Sequence, residues 1–187
     1  MIRLSSETLF PTSFPIATRT IVCSMPSTSA IEEGVKFIFV TEGQGQLRTG
    51  SGAIDLRVGS VVVLPTGTWC AAEPWHPFEM VALYLHPLFA ESLVSWMPST
   101  HPLTHHMLRA TSGDEDASTL HLSEAAMASL RPRLVTLSAH ELKVADEFAV
   151  YADLASLFSD IGRVAGNGSP VTASAEASLR TLRLEVA

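Results

Sequence analysis

Three side chains in this sequence could form a reactive or binding cluster if the fold brought them together: Glu32, Lys36 and Cys70. Glu32 and Lys36 carry opposite charges four residues apart, and Cys70 carries a thiol. Burying a lysine is costly unless its charge is paired, so Glu32 would be its natural partner. Such a pair could line a pocket or receive a polar ligand. If this region is instead a loop in water, the pair contributes little.

Aromatic side chains flank the cysteine. Trp69 precedes Cys70 directly, and Trp75 follows five residues later. Aromatic walls suit small-ligand pockets, although the same rings could simply cap a core. Cys70 could be a reactive thiol if a neighbouring Lys36 lowered its pKa, or it could be a small buried apolar residue.

Three further polar side chains are candidates for the same pocket. Arg48 lies in a predicted strand, where it could clamp a carboxylate through two hydrogen bonds or lie in solvent. Tyr84 and His86 come at the end of a long apolar segment and could supply polar groups to the cavity. We therefore take Arg48, Tyr84 and His86 as candidate ligand-binding residues.

The first two-thirds of the chain has the pattern of short strands. Val35–Thr41 is rich in β-branched and aromatic residues, Ile54–Val58 alternates with period two, and Phe78–Leu85 is long and apolar. Glycines separate these segments every eight to ten residues. This pattern predicts an antiparallel barrel or sandwich.

The last third changes to a helical period. A first helix is predicted from Ser123, which is a good N-cap, with Pro132 as a kink; a second is predicted from about Val144 to Val164. The second helix carries an apolar stripe that could pack on the strands or associate with a second copy. The stripe consists of Phe148, Tyr151, Leu154, Phe158 and Ile161.

Residues 166–175 are rich in glycine, serine and proline and predict a linker. Residues 176–187 are again amphipathic, and the sequence stops within that helical pattern. This ending is typical of a fragment that leads into a further domain; a frayed natural terminus is the alternative.

Composition limits the partners of this chain. The formal net charge is −7 and the pI is near 5.4, which argues against binding of nucleic acid by this chain alone. Two cysteines without a spacing motif fit a reducing compartment, and no segment predicts a membrane span. We expect a cytoplasmic protein without a membrane partner.

Two segments carry a family resemblance. Gly59–Cys70 has the spacing Gly-x5-Pro-x-Gly-x2 and resembles the second motif of the cupin β-barrels, with Cys70 at the usual histidine position. Together with Phe37–Gly45, the two helices and the linker, it resembles the N-terminal half of AraC-type transcription regulators. The resemblance implies a mainly β fold with C-terminal helices: a cupin-like antiparallel β-barrel (a double-stranded β-helix) followed by a two-helix hairpin.

The same resemblance implies a domain organisation. A ligand-sensing barrel with an N-terminal arm would span residues 1–122, and a dimerising helical hairpin would span residues 123–165. The linker of residues 166–175 would lead into a DNA-binding domain that begins at residues 176–187. The N-terminal segment with Pro11 and Pro15 could be a moving arm.

The metal-binding positions of the cupin motifs differ in this chain. The first-motif histidines fall at Ala30 and Glu32, the glutamate falls at Lys36, and the second-motif histidine falls at Cys70. A catalytic metal needs several imidazoles or carboxylates, and the Lys36 ammonium would repel a cation. We therefore expect no metal, no cofactor and no catalytic residue.

The predicted function is that of an AraC-like ligand-sensing and dimerisation domain. Its partners would be a small-molecule effector, a second copy of itself, and DNA only through a domain outside this chain. The alternatives are a stand-alone cupin enzyme, such as an isomerase or a dioxygenase, and a non-catalytic cupin binding protein.

Overall fold

A computed structural model describes residues 1–113, 116–139 and 147–166. Within them the strands are β1 (Ile2–Leu4), β2 (Ile16–Cys23), β3 (Ala30–Glu32), β4 (Val35–Glu42), β5 (Gln44–Thr49), β6 (Gly52–Arg57), β7 (Ser60–Leu64), β8 (Trp69–Pro74), β9 (Phe78–Leu85) and β10 (Ser118–His121). The helices are α1 (Ser6–Leu9), α2 (Pro87–Trp96), α3 (Thr104–Thr111), α4 (Glu124–Ala139) and α5 (Glu147–Gly166).

The strands form two five-stranded sheets. The first sheet has the order β1-β3-β8-β5-β6 and the second has the order β10-β7-β4-β9-β2. Pairing is antiparallel except between β1 and β3, which run parallel. The sheets enclose a core as a jelly-roll-like sandwich, without closing into one continuous hydrogen-bonded barrel. The predicted mainly β fold with C-terminal helices is confirmed.

Strand β4 separates two apolar layers. Ile38 and Val40 pack between the sheets with Leu47, Leu56 and other residues of the inner layer. Phe37 and Phe39 alternate with these residues along the strand. Their side chains lie on the opposite face of the second sheet, where they pack against the helices. Because neighbouring side chains of a strand point to opposite faces, one short segment supplies both layers. This alternation directs Lys36 to the inner layer.

Helices α4 and α5 cover the outer face of the second sheet. Met127, Leu130, Leu134 and Leu137 of α4 are all buried there. Ser123 accepts a hydrogen bond from the backbone N–H of Ala126 at 3.1 Å, as its predicted N-cap position requires. Both predicted helices are present. The predicted start of the second helix, the linker after Gly166 and the last amphipathic segment lie outside the described residues; Gly166 itself is the last residue of α5.

Helices α2 and α3 were not predicted from the sequence. Pro87 occupies the first turn of α2, where its missing N–H costs no hydrogen bond. α3 buries Met107 and Ala110 in the outer layer, and the N-terminal segment contributes the short helix α1. No helix among the described residues is long and apolar enough to cross a membrane.

The turns of Gly59–Cys70 are as the sequence predicts. Gly59 has φ +93° and turns the chain into β7, and Gly67 has φ +78° in the turn before β8. Both conformations favour glycine because a Cβ is strained at positive φ. The two positions differ in their surroundings. A Cβ on Gly59 would lie 2.2 Å from the Leu122 carbonyl oxygen, whereas one on Gly67 would meet nothing within 4 Å.

This difference gives a matched test of the fold. Gly67→Ala should lower the free energy of unfolding by about 1–2 kcal/mol, the cost of a left-handed alanine. Gly59→Ala carries the same strain and should lose about 1–3 kcal/mol more, because the backbone at Leu122 must move. Urea unfolding of both variants measures the difference. Equal losses of unfolding free energy in the two variants would show that Gly59 and Leu122 do not lie as close together as described.

Candidate functional site

The first element of the site is a buried ion pair. β3 ends at Glu32, a turn through Glu33 and Gly34 follows, and β4 begins at Val35. The Lys36 Nζ donates to Glu32 Oε2 at 2.6 Å, with 8% and 7% of the two side chains exposed. The pair is therefore inside the sandwich and not in water.

Two further side chains complete the cluster. The Tyr84 hydroxyl donates to Glu32 Oε1 at 2.9 Å, so both carboxylate oxygens accept a hydrogen bond. The Lys36 Nζ lies 3.6 Å from Cys70 Sγ and 5.4 Å from the centre of the Tyr84 ring. We call Glu32, Lys36, Cys70 and Tyr84 the inner polar cluster.

Strand register brings the cluster together. Lys36 lies opposite Tyr84 of β9, and Cys70 of β8 lies opposite Ala30 of β3. Cys70 and Lys36 therefore come from different sheets and meet across the interior. The cluster lies at the sandwich end where β4 begins and β9 finishes.

Burial and charge together set the protonation of the cluster. Burial alone would lower the pKa of Lys36, but the surrounding Cys70, Tyr84 and Glu32 outweigh it and hold that pKa above its ordinary value. Burial raises the pKa of Tyr84 to about 12, against the opposing effect of Lys36. Burial also raises the pKa of the Cys70 thiol. At neutral pH the cluster thus holds a protonated Lys36 ammonium, a neutral Tyr84 phenol and a neutral Cys70 thiol.

The N-terminal arm, residues 1–15, covers this end of the sandwich. Leu9 and Phe10 are buried against Tyr84 and Ala82. Glu33 holds the arm by accepting hydrogen bonds from the Arg3 side chain and the Ser6 backbone N–H, both at 3.2 Å. β1 adds only three residues of pairing with β3. The N-terminal arm therefore packs over the Tyr84 side of the inner polar cluster.

Comparison with known protein families gives the identity of the fold. The family described as the AraC-like ligand binding domain matches residues 30–182, which is most of the chain. The chain belongs to this family. The matched range includes β3 to α5 and with them all four residues of the inner polar cluster.

Solved structures show partial similarity to this AraC-like domain. A cupin-2 domain protein from Shewanella frigidimarina is 14% identical over 38% of this chain and 71% of that chain, with a TM-score of 0.36. Salicylate 1,2-dioxygenase from Pseudoaminobacter salicylatoxidans is 18% identical over 46% of this chain and 23% of that chain, with a TM-score of 0.38. A mutant of Bacillus subtilis oxalate decarboxylase is 12% identical over 41% and 22%, with a TM-score of 0.37. No curated protein matches the sequence.

Three other predicted ligand residues of this AraC-like domain lie outside the inner polar cluster. Arg48 is exposed and forms a surface ion pair with Glu73 at 3.7 Å. His86 precedes α2 on the outside of the arm, with its ring 5.5 Å from that of Phe10. Trp69 is half-buried beside a separate surface pocket of about 380 Å³. The pocket is lined by Gly50, Ser51, Thr66, Gly67, Thr68, Trp69 and Asp116.

The sequence analysis named the N-terminal arm but not the residues of the arm that contact the cluster. Pro11 and Pro15 indicated an irregular segment, but the side chains that cover the cluster are Leu9 and Phe10. Two adjacent apolar residues after a possible helix cap at Ser5 were the available signal. Sequence alone does not show which end of the sandwich such a pair would cover.

The predicted dimerisation stripe is mostly covered within the chain. Leu154, Phe158 and Ile161 are buried in the outer layer, where the Phe158 ring lies 5.9 Å from that of Phe37. Tyr151 is partly buried against Phe14. Of the predicted stripe, only Phe148 is strongly exposed, at 86%. Packing on the second sheet therefore accounts for most of this apolar surface.

Lys36 stands at the cupin-motif position that carries a glutamate ligand, and an ammonium there would repel a cation. Its ammonium lies on Glu32, and the three histidine positions of the usual ligand set hold Ala30, Glu32 and Cys70. Among the described residues, no group of three or more His, Cys, Asp or Glu side chains is placed to hold an ion. The donor set of the cluster fits a polar organic group better than a cation.

The ion pair can be tested by a double-mutant cycle. Lys36→Met leaves a buried, uncompensated carboxylate and should lower the free energy of unfolding by about 3–5 kcal/mol. Adding Glu32→Gln removes that charge, so the double variant should be more stable than Lys36→Met by at least about 1 kcal/mol. Urea unfolding at neutral pH of the wild type, Lys36→Met, Glu32→Gln and the double variant gives the four free energies of unfolding that the cycle needs.

The exposed pair Arg48–Glu73 is the control for this cycle. Arg48→Met should change the free energy of unfolding by no more than about 1 kcal/mol, because both partners are solvated. A Lys36→Met loss as small as that of Arg48→Met would contradict the buried pair.

The raised pKa of Tyr84 predicts that the free energy of unfolding falls at alkaline pH. Its folded-state pKa, about 12, exceeds the ordinary value of 10.0, so its contribution is complete below pH 10 and is lost between pH 10 and 12. The raised pKa of Lys36 acts with the same sign, and its contribution is lost as the pH rises above its ordinary value of 10.5. The free energy of unfolding should fall more steeply above pH 10 in the wild type than in Tyr84→Phe.

Tyrosinate absorbance gives a direct reading, because the chain has two tyrosines. In the variant Tyr151→Phe, Tyr84 alone should titrate, and should do so near pH 12 or upon unfolding. Titration near pH 10 in the folded protein would contradict the described burial.

Proposed function

We propose that this AraC-like domain is the effector-sensing part of a transcription regulator and that its effector binds at the inner polar cluster. The observation that carries the proposal is the buried set of Glu32, Lys36 and Tyr84 beneath the N-terminal arm. A fold does not need a charged cluster in its interior for stability, since apolar replacements are often as stable. A binding role gives these residues a reason to be there.

The chemistry of the cluster defines an effector class. Lys36 Nζ can donate to a hydroxyl or a carboxylate, and Glu32 can accept from a hydroxyl or an amine. Lys36 and Glu32 are already removed from water. A ligand that replaces the Tyr84 or Cys70 contact therefore requires little further desolvation of these two side chains. A small polyhydroxylated or hydroxy-acid molecule fits these donors and acceptors.

The arm provides the link between binding and output. A ligand at the cluster must displace or rearrange Leu9 and Phe10, which cover Tyr84. Binding then shifts the balance between two arm arrangements by the difference in ligand affinity for them, and a tenfold shift requires about 1.4 kcal/mol.

The regulatory output would lie outside this chain. With a net charge of −7 the domain is unsuited to DNA, so a helix-turn-helix domain elsewhere in the same protein would make that contact. Self-association through the helical layer would join two such domains and convert two weak DNA contacts into one bivalent contact. We propose binding without chemical conversion, because Lys36 and Cys70 stand where a cupin enzyme would carry metal ligands.

A thermal-shift screen tests the effector site. Pentoses, hexoses, polyols and short hydroxy acids are the probes, and one that binds at a hundred times its Kd stabilises the fold by about 2.7 kcal/mol. For a domain of this size that raises the Tm by about 5–10 °C. The shift should disappear in the double variant Glu32→Gln, Lys36→Met.

Arg48→Met provides the control, because Arg48 lies on the surface away from the cluster. It should bind the same probe as the wild type does. A probe that shifts the double variant as much as the wild type binds elsewhere, and that outcome would refute the inner polar cluster as the effector site. Stoichiometric iron or manganese in the purified protein would favour the enzyme alternative.

A further inference from the structure

An apolar groove with a volume of about 590 Å³ runs between helices α2 and α5. Phe89, Leu93 and Trp96 follow one another at steps of four and three residues along α2 and line one side of it. Tyr151 and Phe158 of α5 add two more aromatic rings. Pockets of roughly 300–1,000 Å³ with mostly apolar and aromatic walls are typical of sites for small molecules. We call this feature the α2–α5 groove.

The aromatic rings of the groove are held in place by the rest of the domain. The Tyr151 ring lies 5.1 Å from the ring of Phe14 in the N-terminal arm and 5.7 Å from that of Phe89. The Phe158 ring lies 5.9 Å from that of Phe37. Aromatic pairs at these distances stabilise each ring beyond its apolar burial. The groove is therefore preformed, and a ligand would bind without first ordering its walls.

The described residues that line the groove bring no charge to it. None of them is an aspartate, glutamate, lysine or arginine, although the chain has a formal net charge of −7. The lining residue His101 accepts a hydrogen bond at Nδ1 from the Leu103 backbone N–H at 3.2 Å, so Nε2 carries the proton and donates to the Phe158 carbonyl oxygen at 2.8 Å. A charged ligand would lose hydration here without gaining a counter-charge. The lining therefore favours an uncharged ligand.

Two hydroxyl groups add a small polar component to the groove. Tyr151 and Ser159 both line it, and neither hydroxyl has a hydrogen-bond partner among the described residues. Each can donate to a carbonyl oxygen or exchange a hydrogen bond with a hydroxyl. A ligand with one such polar group could therefore be oriented in an otherwise apolar site.

We propose that the α2–α5 groove is a second small-molecule site, which binds an uncharged aromatic molecule carrying one hydroxyl or carbonyl group. The ligand rings would pack against the aromatic side chains of α2 and α5, and the polar group would bond to Tyr151 or Ser159. Trp96, whose side chain is 83% exposed, would be covered by the ligand, and this burial favours binding. The inference does not depend on the polar effector proposed for the inner polar cluster.

Isothermal titration of the whole chain with 1-naphthol tests the site. We expect saturable binding of one molecule per chain. 1-Naphthoate should bind at least tenfold more weakly, because its carboxylate finds no counter-charge in the lining. Ala155→Phe should raise the Kd for 1-naphthol at least tenfold, because it fills the groove from an exposed position of α5. Ala152→Phe is the matched control: Ala152 is exposed on the same helix but does not line the groove, so the Kd should not change.

The double variant Tyr151→Phe, Ser159→Ala tests the polar contact. It should weaken the binding of 1-naphthol about three- to tenfold, which is the range of one hydrogen bond. Naphthalene cannot make this bond, so its Kd should be the same in the variant and the wild type. Equal weakening of both probes would refute the contact with the two hydroxyls.

The possible failures can be told apart. The double variant Glu32→Gln, Lys36→Met should bind 1-naphthol as the wild type does, so this site and the proposed effector site can fail separately. Absence of saturable binding, or a Kd that Ala155→Phe leaves unchanged, would overturn the proposal. If another protein chain covers the groove instead, including a second copy of this one, the apparent Kd for 1-naphthol would rise with the concentration of that chain, and the small-molecule site would be wrong.

Discussion

The buried ion pair between Glu32 and Lys36 is the interaction on which the rest of this domain depends. A lysine ammonium removed from water costs several kcal/mol unless a counter-charge and hydrogen bonds compensate it. Glu32 at 2.6 Å supplies the charge, and Tyr84 occupies the other carboxylate oxygen. The pair also needs a cover that excludes water, which Leu9 and Phe10 provide. A turn, three strands and the N-terminal arm thus meet at this pair, and the removal of either charge would leave the other buried and uncompensated.

The same pair fixes the register of β4. A slip by one residue would exchange the two faces of the strand and place Lys36 in the outer layer among the helices, with Phe37 facing Glu32. In the outer layer Phe37 packs on Phe158 and Phe39, which offer an ammonium no counter-charge. The electrostatic and hydrophobic requirements of neighbouring residues therefore specify one alignment of β4 between β7 and β9.

Much of this arrangement could be predicted from local sequence, and the limits have physical causes. The glycine turns around Gly59 are a local signal that predicted the fold, whereas the Glu32–Lys36 spacing allowed either a buried pair or two side chains in a solvated loop. Arg48 and His86 carry no local signal that shows which face or end they occupy, and they lie apart from the cluster. The period of α5 revealed an apolar stripe through Phe158 but not what covers it. Its cover is the second sheet of the same chain, a contact distant in sequence.

The alternation of β4 also connects the inner polar cluster with the helical layer. Lys36 points to the inner polar cluster, and Phe37, the next residue, points outward onto Phe158 of α5. Phe158 in turn lines the groove beside Ala155 and Ser159. A ligand that moves the backbone at Lys36 must move Phe37 as well, because a packed layer transmits displacement rather than absorbing it.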